Sequence, residues 1–281
     1  MVSVAGNAVF GVLAAPEKIT LDSLAVTGTI GVTSAAGGDV LLLNSGPVLL
    51  AAGSVGGTLS VTSASGSITD TGTLSIASVS AFRTLASGAT IMLTRVAASG
   101  PVSLFTFGGG GDATLTNTLT GTVLGASSVA GRLTVTAVTG NISDAGVVSV
   151  GGGAVFTALA NKGRITLNFA DIAGPIRFST VGIGSIATVV NARGIELGAS
   201  SLGGALQVTA LTGGITDSGT VSVAGPGAFV VMQAGASIVL DQLDASGSLT
   251  PVLASGGGGG SVTIVNAGSI DIGIAGGGSG G

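Results

Sequence analysis

The chain has 281 residues and a net charge of −4 at pH 7; 46% of its residues are hydrophobic, 7% are charged, and 53 are glycine. This abundance of aliphatic residues excludes a disordered low-complexity chain. Polar or glycine residues interrupt every apolar run, which excludes membrane-spanning helices, and we predict no membrane insertion. The eight Lys and Arg residues form no basic stripe, so no nucleic-acid partner is predicted.

Short strands joined by glycine-rich turns are predicted from one end of the chain to the other. Val, Thr and Ile favour strands, whereas Gly, Asn, Asp and Ser favour turns. Apolar and polar residues alternate in segments such as 58–62, 132–136 and 220–223, as they do in strands with one buried face. Almost no segment has the pattern of an amphipathic helix, so the sequence predicts an all-β protein.

One pattern occurs four times along these strands. A phenylalanine is followed, nine to eleven residues later, by an apolar triplet that begins with isoleucine and ends with leucine. The phenylalanines are Phe10, Phe82, Phe156 and Phe229, and their spacings are 72, 74 and 73 residues. Such a fixed long period indicates structural modules that bury their apolar faces against their neighbours.

The repeat divides the chain into five predicted units within a single continuous segment, residues 1–281. The units are a partial copy at 1–21, full copies at 22–93, 94–167 and 168–240, and a partial copy at 241–281. The motif Val-Ser-Val-Ala-Gly at 2–6 reappears inside a unit at 221–225. The sequence therefore begins inside a repeat, and we interpret it as a segment of a longer protein.

These observations predict a right-handed parallel β-helix (β-solenoid) in which each repeat of about 73 residues spans three to four coils. Side chains alternate inward and outward along each strand, so the inward aliphatic residues of adjacent repeats would form one core. The alternative is a string of tandem Ig-like β-sandwiches. The tryptophan and tyrosine that are typical of that fold are absent.

Two further landmarks keep the phase of the repeat. They are an Ile-Thr/Ser-Asp-x-Gly motif, with Asp70, Asp144 and Asp217 and with Gly72, Gly146 and Gly219, and an asparagine that ends a strand-like run, at Asn44, Asn117, Asn191 and Asn266. We expect each aspartate to hydrogen-bond its own turn, with the glycine supplying a positive φ angle. A calcium site is disfavoured, because copies three or four coils apart would be separated by roughly 15–20 Å at a strand spacing of about 4.8 Å.

Other candidates for chemistry are weaker. Four glycines before Asp112 resemble a Ca²⁺-binding nonapeptide, but the motif is not tandem. The candidate carboxylate pairs of a glycosidase are Glu17 with Asp22 and Asp241 with Asp244, each more simply part of a solvated loop. Without His, Cys or Tyr the usual nucleophiles and proton shuttles are missing. We therefore predict no catalytic residue, no metal, no cofactor and no enzymatic activity.

The eight phenylalanines are the only aromatic residues. The four that keep the phase of the repeat indicate a recurring stack in the core. The other four, Phe105, Phe107, Phe169 and Phe178, do not keep phase, and we expect these side chains to be buried as well.

A longer pattern, Leu-Gly-Ala-Ser-Ser-x-x-Gly-x-Leu-x-Val-Thr-Ala, occupies residues 124–137 and 197–210 and runs on to the aspartate motif. It resembles the β-strand repeats of filamentous-haemagglutinin-like giant exoproteins and adhesins of Gram-negative bacteria. The likeness covers nearly the whole chain. It implies a secreted β-helix on the bacterial cell surface, often exported by two-partner secretion, that works in adhesion, aggregation or biofilm formation.

Three functions remain as hypotheses. The preferred one is a structural segment, the shaft of such an extracellular adhesin, with end-to-end self-association through unpaired strand edges. The second is a binding module whose polar face recognises glycans or host surface proteins. The third, less favoured, is a polysaccharide-cleaving β-helix enzyme.

Overall fold

The computed structural model describes residues 1–119, 121–255 and 259–273. Within these residues every regular element is a β-strand, so the all-β prediction is confirmed. None of them belongs to a helix that could cross a membrane. The chain groups into two compact units, unit 1 (Met1–Gly152) and unit 2 (Gly153–Gly281). The single continuous segment over residues 1–281 stays a prediction.

Unit 1 contains the strands β1 (Val2–Val4), β2 (Ala8–Val12), β3 (Ile19–Val26), β4 (Thr29–Ser34), β5 (Val40–Asn44), β6 (Val48–Leu50), β7 (Gly53–Val55), β8 (Leu59–Ser63), β9 (Ile68–Asp70), β10 (Leu74–Ile76), β11 (Ser80–Ser87), β12 (Ile91–Ala98), β13 (Val102–Phe107), β14 (Ala113–Asn117), β15 (Gly121–Leu124), β16 (Ser127–Val129), β17 (Leu133–Ala137), β18 (Asn141–Asp144) and β19 (Val148–Val150).

Unit 2 contains the strands β20 (Ala154–Asn161), β21 (Arg164–Ile172), β22 (Ile176–Val181), β23 (Ile186–Asn191), β24 (Ile195–Leu197), β25 (Ser200–Leu202), β26 (Ala205–Ala210), β27 (Ile215–Asp217), β28 (Val221–Val223), β29 (Gly227–Val231), β30 (Ile238–Ala245), β31 (Leu249–Val252) and β32 (Val262–Asn266).

The strands of each unit form two parallel sheets, and the chain visits the two sheets alternately. Sheet A of unit 1 contains β1, β3, β5, β8, β11, β13, β15, β16, β18 and β19, and sheet B contains β2, β4, β6, β7, β9, β10, β12, β14 and β17. Sheet C of unit 2 contains β21, β23, β26, β29 and β31, and sheet D contains β20, β22, β24, β25, β27, β28, β30 and β32.

Each strand pairs with the strand one turn later, about 20 residues on. Val40 lies beside Leu59 in sheet A, and Ile68 lies beside Ile91 in sheet B. Parallel pairing between successive turns of this length is the pattern of a β-solenoid, which confirms the predicted fold class. The Ig-like alternative is wrong, since that fold is built from antiparallel sheets.

The core of each turn is formed by every second residue of a strand. In sheet A, for example, Leu42, Val61, Phe82 and Leu104 stand in register on four successive turns, and all are at most 1% exposed. Burying such columns supplies the main stabilising term, at roughly 25 cal/mol per Å² of apolar surface. The residues between them point outward, as the alternation in the sequence predicts.

Each repeat spans seven half-turns, so the same landmark falls on opposite sheets in successive copies. In unit 1, Phe10 lies in sheet B and Phe82 in sheet A; in unit 2, Phe156 lies in sheet D and Phe229 in sheet C. A repeat therefore covers three and a half turns, within the predicted range of three to four.

This alternation corrects the prediction of a recurring phenylalanine stack. Phe82 is fully buried, but its neighbours in the adjacent turns are Val61 and Leu104. The aromatic stack that does form joins Phe156 to the out-of-phase Phe178, with ring centroids 6.1 Å apart.

Candidate functional site

The four in-phase asparagines form the same clamp between successive turns. The side chain of Asn117 accepts a hydrogen bond from the Ala98 amide and donates one to the Ala98 carbonyl, each 3.0 Å long. Its amide also donates to the carbonyl of Gly121, the first residue of β15. Equivalent pairs of bonds join Asn44 to Val26, Asn191 to Ile172 and Asn266 to Ala245. The asparagine thus continues the hydrogen-bond ladder where the backbone turns away.

Two aspartates of the Ile-Thr/Ser-Asp-x-Gly motif, Asp70 and Asp217, bind the next turn rather than their own, which corrects the prediction for them. The Asp70 carboxylate accepts hydrogen bonds from the backbone amides of Thr94 (3.0 Å) and Arg95 (2.6 Å). Those amides lie in β12, where the register with β14 shifts between Leu93 and Val96. A carboxylate there satisfies donors that the bent strand would otherwise leave unpaired.

The other two aspartates occupy the corresponding positions. Asp217 binds the amides of Asp241 and Gln242 in β30, at 3.0 Å each. Asp144 is half-buried at the end of β18, beside Leu124 of the preceding turn. In unit 1, Asp70 lies in sheet B and Asp144 in sheet A. Among the described residues, no group of three or more carboxylate, imidazole or thiol side chains is arranged to hold a metal ion.

The motif needs glycine at these positions because neighbouring turns approach one another closely there, and not because the backbone has a positive φ angle. None of the three has a positive φ angle, which corrects the prediction. A Cβ atom on Gly72 would lie 2.7 Å from the backbone nitrogen of Ala52 in the preceding turn. The corresponding distances are 2.9 Å from Gly146 to Ala126 and 3.0 Å from Gly219 to Ala199. Only a residue without a side chain lets the two turns approach this closely.

A third in-phase group was not predicted: the buried hydroxyls at Ser34, Thr106 and Thr180. Ser34 and Thr106 each donate to the carbonyl at the end of the following loop, Gly38 and Gly111 respectively. Thr180 hydrogen-bonds the hydroxyl of Ser185. Successive members of this group are 72 and 74 residues apart, and this spacing is the signal that could have revealed them.

Within residues 1–119, 121–255 and 259–273, two buried hydroxyls have no hydrogen-bond partner: Ser80 and Thr122. Both side chains are at most 1% exposed. The residues at the same phase as Ser80 are Ala8, Ala154 and Gly227, which carry no hydroxyl. These two positions are departures from the repeat that weaken the core rather than candidates for chemistry.

Outward hydroxyls line a groove on sheet D of unit 2. Ser201, Ser222 and Asp244 stand in register on three successive turns, and the groove has a volume of about 510 Å³. The Ser222 hydroxyl lies 3.4 Å from a carboxylate oxygen of Asp244. Hydroxyls that both donate and accept, beside a carboxylate that accepts, are suited to a polyhydroxylated ligand.

Unit 1 has a smaller groove at the same phase, two copies earlier. Ser54, Ser75 and Ala97 stand in register on sheet B, and the volume is about 210 Å³. Ala97 occupies the position that corresponds to Asp244, so this groove lacks the carboxylate. The pair of grooves is thus a recurring feature of the repeat, and only the one in unit 2 carries charge.

The candidate carboxylate pairs lie on the surface. Asp241 and Asp244 are both exposed in β30, where the first donates its amide to Asp217 and the second contacts Ser222. Burial raises the pKa of Asp217, the two backbone hydrogen bonds oppose this effect, and the nearby Asp241 carboxylate adds to it. Glu17 and Asp22 are exposed as well.

The out-of-phase phenylalanines are mostly not buried, which corrects the prediction. Phe178 is buried, but Phe107 is 62% exposed and Phe169 is 54% exposed. Phe105 is half-buried, and the Arg83 guanidinium lies 4.3 Å from its ring centroid. A further exposed apolar residue follows each in-phase phenylalanine by three positions: Leu13, Leu85, Leu159 and Met232.

Comparison with known families adds one finding. The family model described as repeats of unknown function (DUF5649) matches three stretches, residues 37–104, 110–179 and 184–250. Each stretch is close to one repeat in length, and together they cover more than half of the chain. No curated protein matches the chain, and no solved structure matches it.

Proposed function

Because the chain belongs to this family of repeats of unknown function, we propose a role from the way its repeats are built. The chain is a structural segment, the shaft of a secreted bacterial surface adhesin or exoprotein that acts in adhesion, aggregation or biofilm formation. The observation that carries the proposal is the use of the in-phase polar side chains. Asn44, Asn117, Asn191 and Asn266 all bind the backbone of a neighbouring turn.

A shaft needs length and stiffness rather than chemistry. In a stack of turns each repeat contacts only its neighbours, so length is added one copy at a time. Few charged residues could act on a substrate. Two of them, Asp70 and Asp217, already accept hydrogen bonds from backbone amides of the next turn. The resemblance to filamentous-haemagglutinin-like repeats supports an extracellular location for such a segment.

A replacement experiment tests this role in the source bacterium. The whole segment is removed from the parent gene, and adhesion and surface labelling with antibodies are measured. It is then replaced by an unrelated solenoid with the same number of turns. If the segment is a shaft, the unrelated solenoid restores adhesion. If only the native segment restores adhesion, the shaft proposal is wrong and a binding role is favoured. Failure of antibodies to label intact cells that contain the native segment would contradict the surface location.

The groove in unit 2 favours a second candidate, a glycan-binding face. Its hydroxyl column ends in a charged residue, Asp244, where the unit 1 groove has Ala97. Binding to a glycan array that is lost in Asp244→Ala and kept in Asp271→Ala would support this function. If the segment binds no glycan on the array, the glycan-binding function is wrong and only the structural role remains.

A further inference from the structure

Two phenylalanines lie side by side on the outer face of sheet A in unit 1. Phe105 and Phe107 are separated by one residue in β13, so both side chains point outward, roughly 6.5 Å apart along the strand. Phe105 is half-buried and Phe107 is 62% exposed. Two adjacent rings on an outer face form an apolar patch, which is more informative than a single scattered surface residue.

Arg83 brings a positive charge to these rings. It stands beside Phe105 on the preceding turn, and its guanidinium carbon lies 4.3 Å from the Phe105 ring centroid. No ion pair within the described residues involves Arg83. The strands that carry or flank the pair, β8, β11, β13 and β16, contain no Asp or Glu. The guanidinium is therefore a cation with several N–H donors and no carboxylate of its own.

Hydroxyl groups continue this column on both sides. Thr62, on the turn before Arg83, and Ser128, on the turn after Phe105, stand in register with the pair. The column from Thr62 to Ser128 covers three strand spacings, or roughly 14 Å at about 4.8 Å each. One row thus offers hydrogen-bond donors and acceptors, a cation and an aromatic ring.

The other copies of the repeat lack this combination. In each of them, the residues in the place of Arg83, Phe105 and Phe107 are small, aliphatic or hydroxylic. They are Gly11, Thr33 and Ala35 in the first copy, Thr157, Ser179 and Val181 in the third, and Val230, Val252 and Ala254 in the fourth. The turns stack in the same register without the arginine and the rings, so stacking does not explain why these residues are there.

We propose that this face binds an acidic glycan through a uronic-acid residue. The face consists of Thr62, Arg83, Phe105, Phe107 and Ser128, and we call it the Arg83 platform. The Arg83 guanidinium pairs with the planar sugar carboxylate, which its fork of donors matches. Phe107 packs against the apolar C–H face of the sugar ring. The hydroxyls of Thr62 and Ser128 exchange hydrogen bonds with the sugar hydroxyls.

Other ligands would use only part of the platform. A small inorganic anion would contact Arg83 but not the exposed ring, and a neutral glycan would leave the guanidinium without a partner. The platform is also a different site from the groove on sheet D of unit 2, where the Asp244 carboxylate would repel an anionic sugar. Binding at one site therefore does not decide binding at the other.

Isothermal titration of the full chain with tetragalacturonate tests the proposal. The comparison ligand is the matched tetrasaccharide of galactose, which has a hydroxymethyl group in place of each carboxylate. We expect only the acidic ligand to bind, with an affinity that falls as added salt screens the charges. Arg83→Ala should weaken binding about tenfold or more, because a charge-assisted pair is lost. Arg83→Lys keeps the charge without the planar fork and should lie between Arg83→Ala and the wild type.

Phe107→Ala should weaken binding about fivefold, because the sugar ring loses its apolar contact. Arg95→Ala is the matched charge control, since Arg95 is an exposed arginine on sheet B of the same unit. Phe169→Ala removes an exposed ring from unit 2. Asp244→Ala removes the carboxylate of the sheet D groove. All three controls should bind tetragalacturonate as the wild type does.

A wild type that does not bind tetragalacturonate would overturn the proposal. So would equal losses of affinity in Arg83→Ala and Arg95→Ala, because binding would then follow net charge rather than this face. If tetraglutamate or the galactose tetrasaccharide binds as tightly as tetragalacturonate, the assignment to an acidic sugar is wrong. Melting temperatures of the variants, each altered at a surface position, show that the fold is kept.

Discussion

Asn44 binds both backbone groups of Val26, one turn earlier in the solenoid. Its Oδ1 accepts from the Val26 amide at 2.9 Å and its Nδ2 donates to the Val26 carbonyl at 3.0 Å. The β3–β5 ladder shifts register between Leu21 and Leu24 and ends at Asn44. The side-chain amide therefore replaces the peptide group that a continuing strand would have supplied, and it satisfies two buried groups that would otherwise lack partners.

Removing such a clamp should destabilise the core. We expect Asn117→Ala to lower the free energy of unfolding by about 2–3 kcal/mol, because the Ala98 amide and carbonyl lose their partner in a buried site. Urea denaturation of both variants is the measurement. Asn266→Ala is the matched control: it loses the same pair of bonds at a partly exposed position, so the loss should be smaller. Equal losses would contradict the burial argument.

Removing an unpaired hydroxyl should have the opposite effect. Thr122→Val and Ser80→Ala should each raise the free energy of unfolding by about 1 kcal/mol, since both replace a buried hydroxyl that has no partner. Ser63→Ala is the control, because the fully buried Ser63 hydroxyl donates to the Gly46 carbonyl and its loss should destabilise. Melting temperatures that fall in all three variants would show that Ser80 and Thr122 have partners.

The close approach at the motif glycines can be tested in the same way. Gly72→Ala should cost about 1–3 kcal/mol, since the new methyl group would press on the Ala52 backbone of the preceding turn. Gly109→Ala is the control, because an added Cβ there meets no atom within 4 Å. If both variants have the melting temperature of the wild type, the turns can separate without cost and the packing argument is wrong.

A fourth prediction concerns acid. The Thr58 backbone amide and Lys18 hold the pKa of Asp39 at about 2, below the ordinary aspartate value of 3.8. A carboxyl whose pKa is depressed on folding contributes stability above the unfolded value and loses it as pH falls through the folded value. The melting temperatures of the wild type and Asp39→Asn should therefore differ at neutral pH and converge as pH falls from about 4 to about 2. A difference that persists at pH 2 would contradict this.

The fold class could be predicted because it depends on features that repeat. Alternation along strands, a fixed period and the turn residues all point to stacked coils. The half-turn phase could not be predicted, since the sequence shows where a landmark recurs but not how many residues close one turn. The role of Asp70 was hidden for a related reason. Its partners Thr94 and Arg95 lie 24 and 25 residues away and carry no signature of their own.

The exposed phenylalanines show a different limit. In β13, Val102 and Leu104 point inward, so alternation places Phe105 and Phe107 outward. The burial of these phenylalanines was predicted because their side chains are aromatic. The prediction was wrong because the alternation of inward and outward positions along the strand, and not the residue type, decides which side chains reach the core. The grooves escaped prediction because serine is common on every outward face, and only the register shows which serines form a column.

The odd number of half-turns in a repeat has a consequence for how such proteins change in evolution. Within one unit, a landmark and its next copy lie on opposite sheets, as Phe10 and Phe82 do. An inserted or deleted copy would therefore change which of the two sheets presents the landmark that comes after it.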